Sequence, residues 1–200
     1  MTAEFLSLAT TPAVRREQQR YYGASRPIIT GGEPVPFTED ETTFIEERDS
    51  FYLSTVSETG WPYIQHRGGS PGFLKVTGPR SLAFADYKGN RQLISSGNIA
   101  GGSRVALFLM DYPRQTRLKI LGFARTEDVR SHPDLVAQWV EPKQRSKVER
   151  LFFIDVAAFD WNCPQHITPR YTLAEVEQMV LPLRERIAQL TQKIEPKGKP

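Results

Sequence analysis

The chain has 200 residues, 39% of them hydrophobic and 24% charged, so it is too apolar for a disordered chain and long enough to bury a core without disulfides. Its net charge of +3 comes from 26 basic and 23 acidic side chains mixed along the sequence, which argues against a nucleic-acid-binding surface. The longest apolar run, residues 105–110, is too short to cross a membrane, which takes about 20 residues. The single cysteine, Cys163, and the lack of a secretory signal predict a cytoplasmic protein.

The composition changes twice along the chain and predicts three regions. Residues 1–37 form an N-terminal arm that is polar at first and then rich in proline and glycine. Residues 38–170 contain every predicted strand, and residues 171–200 form a C-terminal helix followed by a disordered tail from residue 195. We expect the arm either to be unattached or to lie on a partner.

The central region is predicted to be mainly β. A capping box, Thr38 to Glu41, starts a helix that runs to about Arg48, and short strands follow it. Another short helix is predicted to begin immediately after the fourth strand, and a further one at Pro133. Glycine and proline turns join most strands as hairpins, which predicts a split antiparallel β-barrel of six to seven strands with peripheral helices. The predicted strands cover residues 51–57, 61–67, 73–77, 81–86, 104–110, 117–125 and 151–159.

A glycine-rich segment after the second strand is the first candidate ligand site. It contains Gln65, His66, Arg67, Gly68 and Ser70. Bare glycine backbone permits close approach of a planar ligand, and arginine supplies a fixed positive charge. A β-bulge or a tight barrel corner explains the glycines equally well.

The second candidate lies where the fourth strand ends. Lys88, Asn90, Arg91 and Gln92 are predicted to occupy the first turn of the short helix there. Helix N-termini attract anions, whereas basic side chains oppose the helix dipole, so a phosphate is the natural compensating group. The alternative is that these side chains are simply solvated.

Two further groups of polar residues could contact a planar ligand. Arg117 and Lys119 are predicted to share one face of a strand, although an exposed polar face is the alternative. A loop after the last strand contains Trp161, Asn162 and Gln165, and there the alternative is a tryptophan that anchors the loop. The three histidines show no metal-ligand spacing, and no metal site is expected.

These motifs occur in an order that resembles the pyridoxamine 5′-phosphate oxidase-like family of FMN-binding split barrels, in its predicted flavin-nucleotide-binding branch. The resemblance covers about residues 44–164, through the segments 60–73, 84–91 and 118–124. It implies a homodimer with two FMN sites at the subunit interface. Residues 65–70 would lie along the flavin and ribityl chain, and Lys88 to Gln92 would hold the phosphate. Arg117 and Lys119 would lie near the ring or phosphate, and residues 161–165 at the end of the site.

The function implied by the resemblance is that of an FMN-dependent oxidoreductase acting on an unidentified small molecule. The alternative is a non-catalytic protein that binds a flavin or haem, because one fold can carry several functions. The Arg-x-x-x-Leu-Lys pattern of the true oxidases is absent, with Gln65 to Ser70 in its place, so the resemblance does not name a substrate.

The C-terminal helix carries apolar residues at alternating spacings of three and four, which is the pattern of a heptad seam. Thr172 and Glu175 form a capping box at its start, and Pro182 interrupts it. The seam is predicted either to pack on its own barrel or to cross the dimer. It consists of Leu173, Val176, Val180, Leu183, Ile187, Leu190 and Ile194.

Overall fold

A computed structural model describes residues 2–25, 27, 34–161 and 165–194. Seven strands form one sheet in the order β2-β1-β5-β6-β7-β4-β3. Every neighbouring pair of these strands is antiparallel, as the hairpin signals predicted. The strands are β1 Ser50–Val56, β2 Pro62–Gly68, β3 Lys75–Gly78, β4 Ser81–Tyr87, β5 Arg104–Asp111, β6 Thr116–Asp128 and β7 Val148–Trp161.

The sheet is rolled so that its two ends face each other. Phe51 of β1 packs edge-on against Phe84 of β4, with ring centroids 5.4 Å apart, although these strands are not neighbours in the sheet. Arg67 of β2 likewise reaches Asp86 of β4. No backbone pairing joins β2 to β3 or β4 in the described part of the chain, so the barrel is split there. This confirms the predicted fold class.

The core of the barrel consists of side chains that alternate along the strands. In β5, Val105, Leu107 and Leu109 are buried, while the residues between them are more exposed. This period of two places one face of each strand inside the barrel and the other outside. A smaller cluster, formed by Val136, Val140, Val148 and Leu151, fixes a helix at the side of the barrel.

Six α-helices surround the barrel in the described residues. The capping box predicted at Thr38 is present, with Glu41 reaching back to the Thr38 amide. The prediction that a helix begins directly after β4 is wrong, because α4 starts only at Ile94 and a loop precedes it. The helices are α1 Ala3–Ala9, α2 Pro12–Tyr22, α3 Glu39–Glu46, α4 Ile94–Gly101, α5 Pro133–Trp139 and α6 Leu173–Ile194.

The N-terminal region includes a short helix that the sequence patterns did not reveal, and it lies on its own barrel. The Thr2 hydroxyl donates to the Phe159 carbonyl at 2.6 Å, and Phe5 is buried. Glu4 forms an ion pair with Arg80 at 3.2 Å. Strand β7 and Arg80, which precedes β4, therefore hold α1 against the barrel.

The C-terminal helix α6 has an exposed apolar seam, so the alternative in which this seam packs on its own barrel is wrong for the described residues. Leu183 and Ile187 are each 63% exposed. The capping box at Thr172 and Glu175 is confirmed, with the Glu175 amide donating to the Thr172 hydroxyl at 3.2 Å. The tail predicted from residue 195 lies outside the described residues. None of the described helices combines the length and apolarity needed to cross a membrane.

Candidate functional site

A cavity of about 170 Å³ lies at the split in the barrel. Strand β2, the end of β4, the loop that follows β4 and the start of α4 enclose it. Five of the residues predicted from sequence meet there, which brings the first and second candidate segments together at one place. They are Gln65, Arg67, Asn90, Arg91 and Gln92.

Buried charges form the floor of this cavity. Asp86 is 7% exposed, and its two carboxylate oxygens bind Arg67 and Arg150, the latter at 2.7 Å. The Arg67 guanidinium also lies over the Phe152 ring, 5.1 Å from its centroid. The Arg67 Nε is buried and has no hydrogen-bond partner in the described residues. The floor of the cavity thus holds two arginines against one carboxylate.

The loop between β4 and α4 has an unusual backbone. Arg91 and Leu93 have φ values of 62° and 55°, in the left-handed region that non-glycine residues rarely adopt. The Asn90 side chain accepts from the Gln92 amide at 3.1 Å and stabilises the turn. Such strained positions are concentrated at ligand clamps, where the surrounding structure holds them.

The loop leaves the N-terminus of α4 uncapped and open to the cavity. Leu93 occupies the cap position and has no oxygen in its side chain to accept from the first amides of the helix. Ile94, Ser95 and Ser96 line the cavity. Within the described residues, Arg91 makes no ion pair or hydrogen bond through its side chain. Free amides and a free guanidinium therefore meet at one end of the cavity.

Two hydrogen bonds hold α4 against the barrel in this position. The Ser95 hydroxyl donates to the Gln65 side chain at 2.9 Å. One turn later, the buried side-chain amide of Asn98 donates through Nδ2 to the Thr55 hydroxyl at 2.9 Å. Gln65 therefore lines the cavity and also fixes the helix whose amides face it.

A second, larger cavity contains the predicted residues Ser70 and Lys88. It has a volume of about 480 Å³, and Tyr87 lies between it and the first cavity. Burial, with a smaller contribution from Glu141, raises the pKa of Tyr87. The glycine before Ser70 is explained by packing, because a Cβ at Gly69 would lie 2.7 Å from the Phe73 ring.

The remaining predicted residues lie elsewhere in the chain. His66 points to the opposite face of β2 from Gln65 and packs against Tyr52, and Gly68 ends that strand. Lys119 forms an ion pair with Asp160 at 2.9 Å. Arg117 and Gln165 are also outside the first cavity, and Asn162 lies outside the described residues.

Trp161 anchors the end of β7 to the start of the barrel. Its indole N–H donates to Glu41 at 2.6 Å, and its ring packs edge-on against Phe44. Burial raises the pKa of Glu41, but hydrogen bonds from Thr38 and Trp161 outweigh it and lower the pKa below its ordinary value. The described contacts of Trp161 therefore agree with the alternative of a tryptophan that anchors its segment to the core.

Sequence reasoning missed several residues of the cavity. Asp86 was visible at the end of a predicted strand, but its role depends on two arginines distant in sequence. Arg150 and Glu149 come from β7, which had no local signal for a site. Among the described residues, no three His, Cys, Asp or Glu side chains are grouped so as to hold a metal ion.

Comparison with known proteins identifies the family. The sequence profile of the pyridoxamine 5′-phosphate oxidase family matches residues 37–161. A protein from Lactobacillus delbrueckii, described as a candidate oxidase of this kind, is 20% identical, with a TM-score of 0.49 over 64% of this chain and 96% of that one. General stress protein 26 from Bacillus anthracis is 15% identical, with a TM-score of 0.46 over 60% and 88% of the two chains.

A third similar structure is HutZ, the haem storage protein of Vibrio cholerae, which is 14% identical, with a TM-score of 0.45 over 58% of this chain and 88% of that one. None of the curated proteins matches the sequence significantly. The profile match spans more than half of the chain and includes all seven strands of the sheet. The chain belongs to the pyridoxamine 5′-phosphate oxidase family.

Proposed function

We propose that this protein binds FMN and is an FMN-dependent oxidoreductase acting on a small molecule. The observation that carries the proposal is the end of the first cavity, where the uncapped N-terminus of α4 meets the unpaired Arg91 side chain. Free helix amides together with a guanidinium form a typical phosphate site. The Arg67 side chain also lines the cavity and adds positive charge to it.

The volume of the first cavity limits how much of FMN it can hold. At about 170 Å³ it is smaller than the ~300–1,000 Å³ of pockets that enclose whole drug-sized ligands. It fits the phosphate end, and the remainder of the cofactor must extend beyond it. The charge of the lining also suits an anionic phosphate, because it contains one more basic than acidic side chain. The basic ones are Arg67, Arg91 and Arg150, and the acidic ones are Asp86 and Glu149.

The homodimer remains part of the proposal because some predicted residues lie far from this cavity. Arg117 is on the outer face of β6, above the Phe108 ring, and its Nε is buried without a partner in the described residues. It does not line the phosphate cavity of its own subunit. Arg117 and Lys119 would contact a flavin if the outer face of β6 met the split of a second copy.

FMN, when bound, supplies the chemistry of accepting and passing on a hydride. The residues of this chain bind and orient it. Arg91 and the first amides of α4 would hold the phosphate, and Gln65 keeps that helix in place through Ser95. The buried carboxylate of Asp86 fixes the Arg67 guanidinium beside the cavity and offsets part of its charge.

The phosphate assignment is tested by comparing FMN with riboflavin, which lacks the phosphate. Arg91→Ala should weaken FMN binding by about 1.5–3 kcal/mol, or roughly 10- to 150-fold, because a hydrogen bond to a charged group is lost. Riboflavin affinity should not change. Both are measured by quenching of flavin fluorescence, with Arg16→Ala, an exposed arginine of α2, as the matched control. Equal FMN affinity in the Arg91 variant and the control would refute the assignment.

The enzymatic part needs a separate measurement. If the protein is an oxidoreductase, NADH or NADPH should bleach the visible flavin absorbance of the flavin-loaded protein in the absence of oxygen, on the order of once per second or faster. A flavin that stays oxidised with both donors would favour the non-catalytic alternative.

A further inference from the structure

Helix α6 presents an apolar seam that no described part of the chain covers. Only its first turns approach the barrel, where Glu175 and Met179 lie near Pro113. The seam residues recur at alternating spacings of three and four, the 3.5-residue period of helices that pair with other helices. Their exposed fractions are Leu173 83%, Val176 41%, Leu183 63%, Ile187 63% and Leu190 42%, with Val180 half-buried.

We propose that α6 pairs antiparallel with α6 of a second copy of this chain. This inference does not depend on the flavin site, because α6 contributes nothing to the phosphate cavity. A second copy is the partner because the seam is complementary to itself when the two helices are reversed. A two-fold axis then brings the same surface of both chains together.

The antiparallel register follows from the positions of the apolar residues. Centring the pair between Leu181 and Pro182 places Leu173 opposite Leu190, Val176 opposite Ile187, and Val180 opposite Leu183. Each layer occurs twice by symmetry, so six layers form without a polar residue.

The charges that flank the seam agree with this register. Glu177 and Arg184 each follow a seam residue and are exposed. In the proposed register Glu177 of each copy lies on the same side of the seam as Arg184 of the other, offset by two residues along the axis, which gives two opposite-charge pairs. Flanking charges of this type select partner and orientation in paired helices.

Other alignments lose this complementarity. Shifting the antiparallel pair by one heptad places Arg184 opposite Arg184 and Arg186 opposite Arg186. A parallel pair places Glu177 opposite Thr172 and Arg184 opposite Met179, with no ion pair. Like charges facing each other are unfavourable, so the first register is preferred.

Pro182 is compatible with the pairing. It lies inside α6 and removes one helical hydrogen bond. It follows Val180 by two residues and precedes Leu183 by one, which places its ring on the side of the helix away from the seam. The bend it introduces therefore does not interrupt the layers.

The test measures distances between nitroxide labels in the full-length protein by electron paramagnetic resonance. Cysteines are introduced one at a time, by Leu181→Cys and Gln192→Cys, in a Cys163→Ser background. In the proposed register the two labels at 181 lie side by side. The two labels at 192 lie about 30 Å apart along the axis, from a rise of about 1.5 Å per residue. A parallel pair gives one short distance at both sites.

Charge reversal then tests the register. Glu177→Arg or Arg184→Glu alone should weaken the pairing and lower the fraction of molecules with the defined distance at 192 at low ionic strength, and the double reversal should restore that fraction. Both side chains are exposed, so neither change threatens the barrel. Equal distances at the two sites, no defined distance in the parent protein, or single reversals without effect would each overturn the proposal.

Discussion

Replacing Asp86 with asparagine tests whether the buried charges at the split hold the barrel together. The Asp86 side chain is 9% exposed and binds Arg67 and Arg150, whose side chains are 14% and 19% exposed. Breaking a buried ion pair from one side costs about 3–5 kcal/mol, because the remaining charge stays desolvated. Since both arginines keep some contact with water, we expect a loss at the lower end, about 3 kcal/mol.

Urea unfolding followed by circular dichroism measures this loss at pH 7. In a separate thermal unfolding experiment the melting temperature should fall by about 6–12 °C, because a chain of this length loses about 2–4 °C per kcal/mol. The matched control is Asp155→Asn, which removes an ion pair to Arg125 between side chains that are 67% and 54% exposed. It should change stability by no more than about 1 kcal/mol. If Asp86→Asn costs no more than this control, the reasoning is refuted.

Three further changes test other parts of the structure. Trp161→Phe removes the indole donor to Glu41, so it should cost about 1.5–3 kcal/mol at pH 7. Because hydrogen bonding lowers the folded-state pKa of Glu41, this stabilisation is present above the unfolded pKa near 4.5 and is lost as the pH falls through the folded value. The gap between variant and wild type in urea should therefore narrow at pH 3. Gly122→Ala places a Cβ 2.7 Å from the Asp155 carbonyl oxygen, and a loss of about 1–3 kcal/mol is expected by urea titration; an unchanged midpoint would mean that the backbone relaxes freely. Thr172→Ala removes the cap of α6 and should speed amide hydrogen exchange in its first turn about fivefold, from a loss of about 1 kcal/mol, while global unfolding stays the same.

Local chemistry in the sequence was sufficient to predict most of the elements. The alternation of apolar residues along β5 determines which side faces the core, and the turn at Gly60 joins β1 to β2 as a hairpin. The capping boxes at Thr38 and Thr172 start α3 and α6 where expected, because each cap is a contact over three residues. The interactions that produce these patterns lie within a few residues of sequence, so they can be interpreted without knowledge of the fold.

The start of α4 could not be predicted in this way. The spacing of Leu93, Ile94 and Ile99 predicted a helix that begins directly after β4. In the structure Arg91 and Leu93 are left-handed, and the helix begins only at Ile94. Tertiary contacts far along the chain hold α4 in place, including that of Ser95 with Gln65. Local propensity is weaker than such contacts and is overridden by them.

The candidate site, too, was predicted from the sequence only in part. The sequence predicted that Gln65, Arg67 and Arg91 belong to a ligand site, because their residue types and neighbouring turns suit an anion. Only the rolled sheet decided that the first two point into the cavity while His66 points away, and that Asp86 and Arg150 complete its floor. Asp86 and Arg150 are 64 residues apart in sequence and meet because β4 pairs with β7. Arg67 is 19 residues from Asp86 and reaches it only when the ends of the sheet are brought face to face.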